Sequence, residues 1–454
     1  MDELIVSVSG VRGIVGKSLT TQVAHEFGEA FGWMLQTDHK PDSGTDRIRA
    51  VIGRDSRSSG PMIQSAFASS LMQVGVDVTD LGIAATPTVA LMGRFLKAHA
   101  SIVITASHNP PEYNGIKFLN HQGMAFSAPE IDNLKKVVQE KKWILADGNK
   151  IGRANTDSRS HAHHVQTILA HMDAKPIIAH RYRVVLDSIN GAGCIASPML
   201  LGKLGVELVH VNGEASGNFA HMPEPTRENL PELGQQVKRK KAAIGFAQDP
   251  DADRLAIVDE NGVYIGEEYT LALAVLNRLM TKHGLVVCNL STSRMIDDIA
   301  AKHSSTVMRT PVGEANVAGL MLQKNALIGG EGNGGVIDLR IGPVRDSFIA
   351  MASILELMTR TGKPLSALVA DIPSYAMIKT KFPATRDQAA RLVHAVKITF
   401  ADQKLDLQDG VRVDWPEGWV HVRPSNTESI ARVIAEAADE KTAKDLIHRV
   451  EKLK

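Results

Sequence analysis

A serine stands directly after an apolar run in residues 104–118, ITASHNPPEYNGIKF. The run ASIVIT predicts a buried strand, which places Ser107 at the carboxyl edge of a sheet, where open α/β sheets bind their ligands. Two prolines follow that cannot extend a strand ladder, and Lys117 returns towards the loop after an Asn-Gly turn. A rigid loop that exposes one hydroxyl near a cation suits a serine that carries a phosphate or acts as a nucleophile. The alternative is a serine that makes only local turn hydrogen bonds, and adjacency in the chain does not make His108 its base.

Three carboxylates alternate with small or rigid residues in the stretch GFAQDPDADRLAIVD. Asp249, Asp251 and Asp253 can point the same way in extended chain, and they repel one another unless a cation lies among them. Oxygen ligands of this kind favour Mg²⁺, and Arg254 suits a phosphate held beside the metal. A solvated acidic turn is the alternative. A calcium hand loop is disfavoured because it needs a glycine where Arg254 stands.

A glycine-rich stretch, IGGEGNGGVID, occupies residues 328–338. Glycines let the backbone approach a ligand closely. The carboxylate of Glu331 and the amide of Asn333 suit sugar hydroxyls, which both donate and accept hydrogen bonds. A simple flexible loop is the alternative for this motif.

Near the C-terminus, HVRPSNTESIARV combines a cation with hydroxyl and amide groups. The pattern predicts that Arg423, Ser425, Asn426 and Thr427 lie immediately before a long amphipathic helix. Free N–H groups at a helix start attract anions, and an arginine can add a bidentate clamp. The alternative is an ordinary helix N-cap, for which one hydroxyl suffices.

A strand–loop–helix–strand arrangement recurs three times along the chain. RAVIGRDSRSSG, RYRVVLDSINGAG and GLVVCNLSTS each predict a strand and a polar loop, and each precedes a helix and a second strand. This pattern is typical of parallel βαβ units, so the expected class is α/β with three related domains. The C-terminal part is expected to be a smaller antiparallel α+β domain, with a helix from Ser429. The expected domains are 1–150, 157–256, 257–367 and 372–454, with a linker at 146–157.

The overall charge is balanced, with 51 Lys and Arg against 50 Asp and Glu in 454 residues. No global field therefore favours nucleic acid or a membrane surface. Two cysteines, Cys194 and Cys288, form no disulfide scaffold and fit a reducing cytoplasm. The sequence shows no signal peptide and no apolar run of about 18 residues. We expect a cytoplasmic protein that binds a small molecule and neither nucleic acid nor membrane, as a monomer or homodimer.

Taken together and in this order, the four motifs resemble the α-D-phosphohexomutase family. TASHNP resembles the phosphoserine loop of that family, DPDADR its metal loop, GEGNGG its sugar-specificity loop and RPSNTES its phosphate loop. The resemblance covers essentially the whole chain. It implies three related α/β domains with mixed sheets and a smaller C-terminal α+β domain, arranged around one central cleft.

The resemblance also implies a mechanism. Ser107 would carry a phosphoryl group and would bind one Mg²⁺ together with Asp249, Asp251 and Asp253. The phosphoserine would phosphorylate a hexose 1- or 6-phosphate, and the bisphosphorylated sugar would turn over and return its other phosphoryl group. A hexose 1,6-bisphosphate would be the activator. The implied catalytic residues are Ser107, Lys117, Arg254, His108 and Arg12, and the implied substrate-binding residues are Glu331, Asn333, Arg423, Ser425, Asn426 and Thr427.

The sugar loop departs from the pattern common in bacterial members. Asn333 stands where those members carry serine, and Gly335 where they carry histidine. Sugar preference therefore does not transfer directly. The expected activity is that of a phosphoglucosamine mutase, converting glucosamine 6-phosphate to glucosamine 1-phosphate, with phosphomannomutase/phosphoglucomutase as the alternative. Outside this class, the candidates are a serine-dependent metal phosphatase and a silent sugar-phosphate binder.

Overall fold

The computed structural model describes residues 4–39, 47–424 and 430–453 of the chain. Four sheets form in this part of the chain, and three of them mix parallel and antiparallel strands. The expected α/β class with a smaller antiparallel α+β unit is confirmed. The boundaries between domains stay predictions.

The first unit contains a seven-stranded sheet in the order β1-β2-β6-β5-β3-β4-β7. Its helices and strands are β1 (Ile5–Ser7), β2 (Gly10–Ile14), α1 (Thr21–Asp38), β3 (Arg49–Arg54), α2 (Gly60–Gln73), β4 (Asp77–Ile83), α3 (Thr86–Phe95), β5 (Ala100–Ile104), β6 (Tyr113–Asn120), α4 (Ala128–Glu140) and β7 (Ala154–Thr156). Strand β7 pairs in parallel with β4. The segment 146–157 therefore ends inside this sheet and is not simply a linker.

The second unit has a four-stranded sheet in the order β11-β10-β8-β9. A short 3₁₀ helix spans Arg227–Asn229, and the other elements are α5 (Ser160–Leu169), α6 (Ala174–His180), β8 (Arg183–Asp187), α7 (Gly193–Lys203), β9 (Glu207–Val211), α8 (Pro231–Lys240), β10 (Ile244–Gln248) and β11 (Leu255–Asp259).

The third unit has a similar sheet in the order β13-β12-β14-β15. Its elements are α9 (Glu268–Leu279), β12 (Leu285–Asn289), α10 (Met295–Lys302), β13 (Thr306–Thr310), α11 (Glu314–Lys324), β14 (Ile328–Glu331), β15 (Gly335–Ile337), α12 (Ser347–Thr361) and α13 (Leu365–Ala370). All three predicted βαβ units form, because β3 and β4, β8 and β9, and β12 and β13 pair in parallel.

The C-terminal unit is a five-stranded antiparallel sheet in the order β16-β20-β19-β18-β17. Its elements are β16 (Ala376–Pro383), α14 (Arg386–Thr399), β17 (Lys404–Asp406), β18 (Val411–Trp415), β19 (Gly418–Pro424), β20 (Ile430–Ala437) and α15 (Glu440–Glu451). The helix expected from Ser429 is therefore wrong over 430–437, which is strand. The segment IARVIAEA alternates, with Ala431, Val433 and Ala435 facing the buried core, and sheet packing overrides the helix propensity of its alanines.

Equivalent turns in the first three sheets carry the sequence motifs. Each turn joins a strand with a parallel neighbour to the next strand, which runs antiparallel to it: β5 to β6, β10 to β11, and β14 to β15. Because the parallel strands point the same way in each unit, these turns lie at the carboxyl edge of each sheet, where ligands bind in α/β folds.

The apolar core shows which units depend on one another. One continuous cluster of buried side chains runs through the second and third units and includes Phe246, Leu273 and Phe348. The first sheet has its own cluster around Phe31 and Phe118, and the C-terminal sheet has another around Val420. The second and third units therefore stabilise each other.

Candidate active site

The turn after β5 holds Ser107 in a left-handed backbone conformation, with φ of 51°. This conformation is costly for a residue other than glycine, so neighbouring contacts must hold it. The buried guanidinium of Arg57 donates to the backbone oxygens of Ser107 and Asn109, both at 2.7 Å. Asp55 accepts from Arg57 Nε at 3.1 Å and from Thr105 Oγ1 at 2.7 Å. Arg57 and Asp55 were not identified from the sequence. The feature that could have indicated them is the charged loop that directly follows β3.

The structure brings Ser107 together with the three aspartates. Ser107 Oγ donates a hydrogen bond to Asp249 Oδ2 at 3.1 Å, across 142 positions of sequence. One carboxylate oxygen from each of Asp249, Asp251 and Asp253 lies within 4.8 Å of the other two, and all three side chains are buried. Ala252 between them also has a positive φ, 54°, which produces the sharp turn that gathers the carboxylates.

The charge on this trio is only partly balanced by protein groups. Burial, and then the charges of Asp253 and Asp251, raise the pKa of Asp249 well above its ordinary value. Asp251 Oδ1 and Asp253 Oδ1 are buried and make no hydrogen bond to any described residue. Unpartnered buried oxygens are costly, and three such carboxylates form a hard oxygen donor set. The residues present therefore fit a divalent cation.

Lys117 holds the other carboxylate oxygens of Asp251 and Asp253. Lys117 Nζ lies 2.6 Å from Asp251 Oδ2 and 3.1 Å from Asp253 Oδ2. Burial alone would lower the pKa of Lys117, but the two carboxylates outweigh it and raise that pKa above its ordinary value. Lys117 is therefore a positive charge at this site. Thr86 Oγ1 adds a hydrogen bond to Asp251 Oδ2 at 2.5 Å.

Arg345 joins the aspartate loop to the glycine-rich loop, and sequence reasoning missed it. Its guanidinium donates to Asp253 Oδ2 at 2.8 Å and to Glu331 Oε2 at 3.0 Å, and its Nε lies 3.4 Å from Glu314 Oε2. Burial would lower the pKa of Arg345, but these carboxylates raise it well above its ordinary value. Arg345 lies outside the quoted motifs, just before α12, so local pattern carried no signal for it.

The glycine-rich loop presents its two candidate side chains differently. Glu331 Oε1 accepts from Asn289 Nδ2 at 2.9 Å and from the Gly313 backbone N–H at 3.1 Å, so this carboxylate anchors the loop. Asn333 Oδ1, in contrast, is buried and accepts nothing from the described residues. Asn333 is therefore free to meet a polar ligand.

His108, Arg12 and Arg254 line one cavity of about 630 Å³ with Glu331 and Asn333. The charge of Arg254, burial and the charge of Arg12 lower the pKa of His108 to about 2, so its imidazole is neutral. His108 Nδ1 lies 3.4 Å from Ser107 Oγ. Burial lowers the pKa of Arg12 to about 10, which leaves it a cation at neutral pH. Arg12 and Arg254 therefore bring two positive charges to a cavity in which the imidazole is neutral, and this combination suits an anionic ligand.

The C-terminal sheet adds two more arginines to this cavity. Arg423 on β19 lies directly opposite Arg432 on β20, and both line the cavity. Like charges directly opposite each other destabilise a sheet, so the pair is suited to an anion. Arg423 Nε approaches Asp409 Oδ2 only to 4.0 Å. Ser425, Asn426 and Thr427, predicted beside Arg423, lie outside the described residues.

Glu268 and Lys379 form a further pair at the same cavity that sequence reasoning did not find. Lys379 Nζ on β16 lies 3.6 Å from Glu268 Oε1 and 2.5 Å from Glu267 Oε1 on the third unit. Burial raises the pKa of Glu268 to about 8. The Glu268 carboxylate lies against Gly332, where an added Cβ would meet it at 1.9 Å. Any larger residue at position 332 would therefore clash with the Glu268 carboxylate.

Comparison with known families assigns each unit. The profiles for phosphoglucomutase/phosphomannomutase alpha/beta/alpha domains I, II and III match residues 4–144, 161–262 and 267–375, and the profile for the C-terminal domain matches 377–453. The fold and the four loops thus define an isomerase of the phosphohexomutase class. The chain belongs to the phosphoglucomutase/phosphomannomutase family, the α-D-phosphohexomutases.

Individual relatives agree over nearly the full length. A phosphoglucomutase/phosphomannomutase of Thermococcus kodakarensis is 38% identical over 96% of this chain and 95% of its own. A "probable phosphoglucosamine mutase" of Pyrococcus horikoshii is 33% identical over 98% and 96%. The crystal structure of a phosphoglucomutase/phosphomannomutase family protein of Burkholderia thailandensis superposes with a TM-score of 0.86 at 27% identity, covering 99% of this chain and 97% of that one. No described helix combines the length and the hydropathy that a membrane span requires.

Proposed function

We propose that this protein interconverts glucosamine 6-phosphate and glucosamine 1-phosphate through a phosphorylated Ser107 and a bisphosphorylated sugar. One observation carries the proposal. The Ser107 hydroxyl is held in a left-handed turn 3.1 Å from Asp249, beside two unpartnered buried carboxylate oxygens. That arrangement suits a serine whose phosphate completes a metal site.

Asp249, Asp251, Asp253 and phosphorylated Ser107 would hold one Mg²⁺. Such an ion supplies charge stabilisation to a phosphoryl group in transfer. Lys117 keeps Asp251 and Asp253 aligned by its two ion pairs. Arg12 and Arg254, which line the same cavity, would offer their guanidinium groups to the phosphoryl oxygens.

The transfer breaks the bond from phosphorus to Ser107 Oγ and forms one to a sugar hydroxyl oxygen. In the overall step, the proton of that hydroxyl replaces the phosphoryl group on Ser107 Oγ. The neutral imidazole of His108 is available for a hydrogen bond at Ser107 Oγ. Ser107 is 1% exposed. Bulk water therefore has little access to this hydroxyl, which disfavours hydrolysis of a phosphoserine there.

The remaining groups would bind the rest of the substrate. Asn333 offers an unpartnered amide oxygen to a sugar hydroxyl. The phosphate that is not reacting would be held by Arg423, Ser425, Asn426 and Thr427, with the Arg432 guanidinium alongside. One such clamp would serve either phosphate after the bisphosphorylated sugar turns over.

One carboxylate in the cavity supports an amino sugar as the substrate. Glu224 lines the cavity and approaches Arg254 only to 3.9 Å, so it could meet the ammonium group that a hexosamine carries and neutral hexoses lack. Relatives named phosphoglucosamine mutase point the same way. The relative named phosphoglucomutase/phosphomannomutase keeps the mannose and glucose phosphates as the second candidates. We also propose that the protein is cytoplasmic and is a monomer or homodimer. Light scattering on the purified protein tests the oligomeric state.

The test compares kcat/KM for glucosamine 1-phosphate, mannose 1-phosphate and glucose 1-phosphate, with Mg²⁺ and a hexose 1,6-bisphosphate activator. The expected order places glucosamine 1-phosphate first. The S107A variant should lose roughly ten-thousandfold or more in kcat, whereas S65A, at an exposed serine of α2, should not. Near-normal turnover by S107A contradicts the mechanism. Release of one phosphate per sugar phosphate consumed identifies a phosphatase instead.

A further inference from the structure

A second cavity, of about 650 Å³, lies outside the active cleft, where the first unit meets the third. We call it the basic cavity after its charged lining: His39, Arg94, Lys97, His99 and His121. We propose that the basic cavity binds a nucleoside di- or triphosphate. Its volume falls within the range of sites for small organic molecules.

Among the described residues that line the basic cavity, the charged or protonatable ones are all arginine, lysine or histidine, and none is acidic. Arg94 and Lys97 are exposed, and neither forms an ion pair with a carboxylate within the described ranges. The His39 ring lies 5.1 Å from the His99 ring and 6.3 Å from the His121 ring. Cations gathered without a counter-charge attract an anion, and several of them suit a group with more than one charge.

His99 is oriented to donate a hydrogen bond into this cavity even when it is neutral. Its Nδ1 accepts from the Arg49 backbone N–H at 3.1 Å, so Nε2 carries the proton. Burial, and then the neighbouring His39, lower its pKa. Among the described residues, the charged or protonatable groups that act most strongly on His99 are His39, Arg49 and His121. His99 therefore offers an N–H donor to an anion in the cavity without itself carrying a charge.

The opposite wall is apolar and comes from the third unit. It consists of Leu322 on α11 together with Leu339 and Pro343, and Leu322 is 39% exposed. A cationic wall facing an apolar wall favours a ligand with both kinds of surface. A nucleotide has this form, because its base can pack on the leucines while its phosphates meet the cations. Inorganic phosphate satisfies only the cationic wall.

The basic cavity is separate from the active cleft but is joined to it through two strands. His99 directly precedes β5, which leads to Ser107, and His121 directly follows β6, which carries Lys117. Arg94 Nη1 donates to the Ile341 backbone oxygen at 2.9 Å, which ties the first unit to the third beside the cavity. A nucleotide bound between the two walls would reinforce this tie without occupying the catalytic residues.

Isothermal titration calorimetry on the intact protein tests the proposal, with the active cleft first saturated by Mg²⁺ and hexose 1,6-bisphosphate. ADP is the probe, with inorganic phosphate and adenosine as the anion-only and apolar-only comparisons. We expect ADP to bind at least about tenfold more tightly than either, a difference of about 1.4 kcal/mol. Absence of ADP binding at millimolar concentration overturns the proposal, and equal binding of phosphate and ADP reduces the site to one for a simple anion.

Variants locate the binding. R94A/K97A should weaken ADP binding by at least about tenfold, because each charged contact contributes more than a neutral one. The matched control R391A/K397A removes the same charge from exposed positions on α14 and should leave binding unchanged. Equal affinity in both double variants overturns the proposal. H121Q, at an exposed position, should also weaken ADP binding and provides the test if R94A/K97A fails to fold. Basal turnover should be retained in all of these variants.

Discussion

Replacing Arg345 by methionine should uncouple the aspartate loop from the glycine-rich loop. Methionine retains most of the length and apolar volume of the side chain but removes its charge and all its donors. The change leaves Asp253 and Glu331 buried without this partner, at 0% and 4% exposed, respectively. The variant therefore tests whether Arg345 fixes the position of the aspartate loop relative to the glycine-rich loop.

The expected loss of stability follows from breaking a buried ion pair, which costs about 3–5 kcal/mol. Burial already raises the pKa of Glu314, so that carboxyl can take up a proton when Arg345 is lost, which favours the lower part of this range. The loss of catalysis follows from geometry. Displacing a catalytic group by about 1 Å costs roughly a hundredfold in rate, and we expect that factor in kcat/KM.

Urea unfolding and steady-state kinetics measure both effects. The second and third units share one apolar core and should unfold together, so the unfolding midpoint of that transition reports the change. R340M is the matched control, because Arg340 pairs with Asp338 at 2.5 Å in the same loop but lies outside the cavity. We expect R340M to leave kcat/KM within about threefold of the parent, since its effect stays local.

Equal kcat/KM in R345M and R340M would refute the reasoning, because it would mean that bridging the two loops has no catalytic consequence. Adding E331Q to R345M gives a second check. Neutralising one of the stranded carboxylates should recover part of the lost stability, as expected for residues in direct contact.

Three further predictions concern charge and metal. Folded Glu268, with its pKa raised to about 8, holds a proton that the unfolded chain releases between about pH 5 and pH 8. The free energy of unfolding of the parent protein should therefore fall as the pH rises through this window. In E268Q this fall should be smaller, as measured by urea unfolding across the pH range. Buried His164 forms hydrogen bonds with Thr88 at 2.8 Å and with Asp346 at 2.9 Å, and so joins the first three units. H164L should therefore lower the melting temperature without changing KM, and an unchanged melting temperature would contradict this. Chelation by EDTA should abolish turnover and Mg²⁺ should restore it, as followed by product formation; full activity in EDTA would exclude the proposed metal role.

The contiguous motifs could be predicted because their chemistry is local. Asp249, Asp251 and Asp253 alternate within five positions, and Ser107 follows an apolar strand, so residue type and spacing alone indicate a metal loop and a nucleophile loop. The βαβ repeats were equally readable, since hydrophobic periodicity depends on near neighbours. The prediction of a helix from Ser429 was wrong because alanine and glutamate favour helix locally, whereas pairing with β16 and β19 makes the segment a strand.

By itself, the sequence determined the α/β class, the order of the four loops and the residues that could do chemistry, because each depends on a short run of chain. Only the tertiary structure decided which of them meet. Arg57 binds the Ser107 turn across 50 positions, Arg345 reaches Asp253 across 92, and Glu268 lies 3.6 Å from Lys379 of another unit. Such contacts arise from the packing of separate sheets, and the burial that shifts the pKa values of Asp249 and His108 exists only once those sheets close around the cavity.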